Sequence, residues 1–96
     1  MIRALPAPDE VIRRLRSRSV SSWSQERILT ARAAVQRLAD MAAEAERQPR
    51  RPVPHLHPVA LADQLEVLLH DARTHGVDPA LLDALFGQLA VDLAVR

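Results

Sequence analysis

Four consecutive residues, Gly76-Val77-Asp78-Pro79, constrain this chain more than any other stretch. Glycine adopts the left-handed backbone conformation that closes a helix, and Val77 supplies the apolar contact back onto the last turn. Asp78 suits an N-cap, because its carboxylate accepts from the free N–H groups of the next helix. Pro79 suits the first helical position, where no N–H is needed. A stop and a start this close predict an αα-hairpin, with one helix over 59–75 and another over 79–95.

The two helices of that hairpin differ in character. In the first, Leu61, Leu65, Leu68, Leu69 and Ala72 fall on one stripe, and Asp63, Gln64, Glu66, His70 and Asp71 take the remaining surface. In the second, Leu82, Leu85, Phe86, Leu89 and Leu93 make a main face, while Ala84, Val91 and Val95 make a second apolar strip. A helix apolar on two sides needs cover on two sides.

Upstream, Pro8-Asp9-Glu10 reads as a helix start, with proline at the first position and two acids on the positive end of the dipole. This predicts a short helix over 8–17, burying Val11, Ile12 and Leu15 and exposing Arg13, Arg14, Arg16 and Arg18. Ser17–Ser22 is a break. Ser22-Trp23-Ser24-Gln25 has the form of a capping box and opens a long helix over 23–47. Its expected inner face is Ile28, Ala31, Ala34, Val35, Leu38, Met41, Ala42 and Ala45, small enough for a neighbouring helix to come close. Pro49, Pro52, Pro54 and Pro58 then exclude helix and predict an extended connector over 48–58.

Composition narrows the class further. In 96 residues only Trp23 and Phe86 are aromatic while almost half are apolar, which favours close-packed helices over sheets. The expected architecture is all-α: a single small domain of four helices spanning 1–96. The absence of cysteine excludes disulfides and thiolate metal sites. No apolar run is long enough to span a bilayer and Met1–Pro8 lacks a signal-peptide core, so no membrane association and a cytoplasmic location are expected. All 13 basic side chains are arginine, which suggests GC-rich bacterial coding. Residues 1–51 hold eleven of them against six acids, while residues 52–96 hold two against six. Halves of opposite charge can attract within or between chains.

Several motifs suggest chemistry, each with a plainer reading beside it. Ala72, Gly76, Val77, Leu82 and Leu85 have the spacing of the DNA-binding helix-turn-helix skeleton, which this stretch resembles. A reading helix, however, needs Arg, Lys, Asn or Gln near its start. This one offers Asp78, Pro79, Ala80, Asp83 and Ala84, so a simple αα-corner is the better reading. Arg13, Arg14, Arg16 and Arg18, with Arg50 and Arg51, are candidate nucleic-acid contacts. No aromatic interleaves them for base stacking, and such a face usually pairs with acids or water. His55 and His57 share one side of an extended segment, but a metal site needs three or four convergent ligands, and nothing in the sequence brings His70 or His75 to that pair. No metal or cofactor is expected.

Asp63, Glu66 and His70 share a side of the third helix and would serve as an acid–base cluster only in a pocket that shifts their pKa values. With no tyrosine, cysteine, lysine or glycine-rich phosphate loop, enzyme activity is not expected. Pro49-Arg50-Arg51-Pro52 has PxxP spacing, though a stiff spacer needs nothing more. The leading expectation is a non-enzymatic protein–protein interaction or assembly module, a homodimer in its simplest form. Its interface would be Leu82, Phe86, Leu89, Val91, Leu93 and Val95. The alternative is a small nucleic-acid-associated regulator, or an antitoxin-like protein, acting through the arginines.

Overall fold

The computed structural model describes residues 6–18 and 23–93. The protein is all-α, a small four-helix fold with no strand among the described residues. The helices are α1 (Pro8–Arg16), α2 (Gln25–Ala45), α3 (Leu61–Thr74) and α4 (Pro79–Asp92), with a 3₁₀ turn over Pro58–Ala60 leading into α3. Together they form a slab of 39 × 37 × 17 Å.

Local chemistry explains most of the boundaries. Pro8 opens α1, with Asp9 and Glu10 in its first turn. The α2 cap is Ser24, whose Oγ accepts from the Arg27 N–H at 3.2 Å. The expected box began at Ser22, which lies outside the described residues; the helix starts two residues later because Ser24 reaches the free donor. At the corner, Gly76 has φ 79°. The Gly76 N–H donates to the Arg73 carbonyl at 3.3 Å and the Val77 N–H to the Ala72 carbonyl at 3.0 Å. This pair of bonds is the Schellman arrangement, and Val77 is buried as its apolar contact. Asp78 then caps α4 by accepting from the Ala80 N–H at 2.9 Å.

The end of α2 repeats the same motif without glycine. Arg47 sits at φ 58°, the Arg47 N–H donates to Glu44 at 3.1 Å and the Gln48 N–H to Ala43 at 2.8 Å. Nothing in Glu46-Arg47-Gln48 advertises a left-handed residue, and arginine accepts it at an energetic cost.

From there the connector runs back along α2. Gln36 holds it with both ends of its amide: Oε1 accepts from the Val53 N–H at 2.8 Å, and Nε2 donates to the Arg51 carbonyl at 3.0 Å. Arg32 donates to the Leu56 carbonyl at 2.9 Å. The 21 residues of α2 span about 30 Å, and about ten extended residues cover the same distance. The chain therefore re-enters near the start of α2, and α3 runs parallel to it. The proline-rich segment is more than a spacer, since α2 side chains bind its backbone.

Packing follows the amphipathic faces. Helix α1 lies against α3 and α4, and α2 against the same two helices. The core combines Val11, Ile12 and Leu15 of α1 with Ala31, Ala34, Val35, Leu38, Met41 and Ala42 of α2. From the hairpin it takes Leu61, Leu65, Leu69, Ala72, Val77, Leu82, Phe86, Leu89, Ala90 and Leu93. The small residues on α2 permit close approach of α3. Of the expected inner face, Ile28 is half-buried and Ala45, the last residue of α2, is exposed.

Candidate functional site

The expected interface on α4 divides in two. Leu82, Phe86, Leu89 and Leu93 are buried inside the chain, Phe86 completely. This corrects their assignment as partner contacts: α1 and α2 together cover this side of the helix. Val91 remains open, 67 % exposed, and Val95 lies outside the described residues. The free apolar face of α4 is thus the second strip. Helical spacing gathers Leu81, Ala84, Leu85, Gln88 and Val91 on it. Leu81 is 55 % exposed, Ala84 is exposed and Leu85 half-buried.

Beside that face a shallow, mainly apolar groove of about 320 Å³ runs between α2 and α4. Thr30, Ala33, Ala34 and Arg37 form one wall, and Leu85, Gln88, Leu89 and Asp92 the other. Leu29 adds a further exposed leucine on α2. Leu81, which the sequence reading did not single out, is the residue that extends the strip toward the start of α4. Its leucine character alone cannot separate it from Leu82, because the two differ only in which side of the helix α1 and α2 cover.

Most of the arginine candidates are occupied. Arg13 and Arg14 both bond Glu10, the latter at 3.1 Å. Arg13, first of all by its hydrogen bond, holds the Glu10 carboxyl below the usual carboxylate range. Arg16 joins Asp63, at 2.5 Å, and Glu66 on α3. Arg50 pairs with Glu44. Arg18 lines a cavity at the end of α1, and Arg51 is exposed in the connector. Across the α1–α3 junction the basic and acidic halves therefore neutralise each other within one chain. Asp63 and Glu66 serve as partners of Arg16, not as a free acid pair beside His70.

The histidines do not converge. His57 Nδ1 accepts from the Val59 N–H at 3.2 Å and helps start the 3₁₀ turn. Among the described residues the one set of three potential metal ligands is Glu46, Asp71 and His75. The sequence reading weighed His75 only against His55 and His57, and missed Glu46. Glu46 is 29 residues distant and is delivered by the parallel packing of α2 and α3.

A larger cavity, about 870 Å³, lies among the end of α1, the start of α2 and the 3₁₀ turn. Leu15, Trp23, Ile28 and Val59 are its apolar lining, with Arg16, Arg18 and Asp63 at its edge. Residues 19–22, which join two of its lining residues, lie outside the described ones. The corner that resembles a helix-turn-helix presents Asp78, Ala80, Asp83 and Ala84 to solvent, a surface that repels phosphate. No helix among the described residues is long and apolar enough to cross a membrane.

Compared with known proteins, the chain matches no family model, no curated protein and no solved structure.

Proposed function

We propose that the protein is a non-enzymatic assembly module that pairs with a second copy of itself through the outer face of α4 and the adjoining α2 wall. The observation that carries this reading is the strip Leu81, Ala84 and Val91, left uncovered beside a half-buried Leu85 on a helix whose opposite face is already buried. Clustered apolar groups of this kind gain by leaving water, whereas scattered ones need no explanation. The groove brings Arg37 on α2 opposite Asp92 on α4. A twofold axis would set each arginine against the other copy's aspartate, which fixes orientation as well as attraction. A stable interface needs roughly 800 Å² from each partner, and the broad faces of a slab 39 × 37 Å across provide room for it.

Nucleic-acid binding ranks below this reading, because Arg13, Arg14, Arg16 and Arg50 already meet carboxylates of the same chain.

Light scattering across protein concentration tests the proposal. The expected result is a dimer that Val91→Asp or Leu81→Asp converts to a folded monomer, since both sites tolerate a charge when solvent-exposed. Phe86→Asp should instead unfold the chain, and Asp83→Ala should change neither mass nor helicity. A monomer at every concentration overturns it. Tight DNA or RNA binding that weakens steeply with salt would favour the arginine reading instead.

A further inference from the structure

The geometry points to a divalent transition-metal site formed by Glu46, Asp71 and His75, joining the ends of α2 and α3. His75 Nδ1 lies 2.9 Å from the backbone carbonyl of Asp71. A carbonyl only accepts, so Nδ1 carries the hydrogen, an assignment that follows from this bond. In the neutral ring Nε2 then presents a lone pair, and it faces Glu46 Oε1 at 3.0 Å. A carboxylate oxygen is also an acceptor. Two acceptors at this separation need a positive charge between them, either a proton or a metal ion.

Three features favour the metal. The Asp71 carboxylate lies beside the same imidazole, its Oδ1 nearest Nδ1 at 3.8 Å, and one donor atom from each of the three residues fits within 4.8 Å. With metal–nitrogen and metal–oxygen bonds of about 2.1 Å, adjacent ligands sit about 3 Å apart at right angles and about 3.4 Å apart in a tetrahedron, so the 3.0 Å between Glu46 and His75 is at the short end of that range. The Nδ1–H bond to a backbone carbonyl is the outer contact that commonly orients a metal-binding histidine. Finally, Glu46 and His75 are the C-caps of two helices, and both helices direct the negative ends of their dipoles at this point. Two carboxylates and a neutral imidazole carry the charge that a divalent ion balances. One nitrogen and two oxygens suit zinc and its neighbours in the first transition row.

Such an ion would tie the C-terminal ends of the parallel helices just before their left-handed residues, Arg47 and Gly76. The inference is independent of self-assembly.

Calorimetric titration of the untagged, metal-stripped chain with zinc chloride tests it, together with thermal melting. The expected result is one ion per chain and, at about 100 times Kd, a rise in Tm on the order of 10 °C, reversed by EDTA. Glu46→Gln and His75→Ala should each abolish both effects while keeping the helical signal. His55→Ala and His70→Ala should respond as the parent does. Cobalt in place of zinc should give visible absorption that His75→Ala removes. Absence of heat and of any Tm shift up to millimolar zinc overturns the site and leaves a proton in the gap. Binding that survives in His75→Ala overturns it equally.

Discussion

Arg73, near the end of α3, forks onto Asp9 in the first turn of α1, with Nη1 3.1 Å from Oδ1 and Nη2 3.0 Å from Oδ2. At the other end of the same pair of helices, Arg16 of α1 reaches Asp63 and Glu66 of α3. The two contacts hold α1 antiparallel to α3 and set its position along it.

The clamp is acid-sensitive. The Arg73 hydrogen bond holds the Asp9 carboxyl below its ordinary pKa. A depressed folded-state value means that the stabilisation is complete above the unfolded carboxylate value, about 4, and is lost as pH falls through the folded one. Both side chains are largely exposed, so the contribution is below about 1 kcal/mol and weakens with salt. Arg73→Ala should lower the urea midpoint slightly at pH 7 and leave it unchanged at pH 2. An equal loss at both pH values would assign the effect to packing of the arginine stem.

Gln36 should matter more than its partly exposed position suggests. It satisfies the Val53 N–H and the Arg51 carbonyl together. Gln36→Leu leaves both without their protein partner, at a cost of about 1 kcal/mol. Amide exchange at Val53 should accelerate, while exchange in the middle of α3 stays as in the parent. Unchanged protection at Val53 would mean that the prolines alone hold the connector.

The two helix ends in left-handed conformation give opposite predictions. A Cβ at Gly76 would meet no atom within 4 Å, so the cost of Gly76→Val comes first from its positive φ, roughly 1 kcal/mol or more. Arg47 already bears that strain at φ 58°. Arg47→Gly should therefore stabilise the protein by about 0.5–1 kcal/mol. Thermal melts moving in opposite directions would confirm both ends, and a destabilised Arg47→Gly would remove the α2 assignment.

The sequence by itself determined the elements. Gly76-Val77-Asp78-Pro79 specifies a corner because each residue answers a local backbone requirement. Val11, Ile12 and Leu15, and likewise Leu61, Leu65 and Leu69, reveal their buried faces through spacing alone. Local codes failed where the requirement was met by an unmarked residue, as at Arg47, or by a neighbouring serine, as at Ser24.

Which apolar strip of α4 is covered was a tertiary decision. Leu82, Phe86 and Leu89 on one side and Leu81, Ala84 and Val91 on the other are similar as sequence. Only the placement of α1 and α2 separates core from surface. The meeting of Glu46 with His75 has the same origin. A connector as long as α2 returns the chain to that helix's beginning and makes α3 run parallel, so two distant helix ends coincide. Spacing along the chain encodes one helix at a time, whereas the relation between helices depends on how all their faces are buried at once.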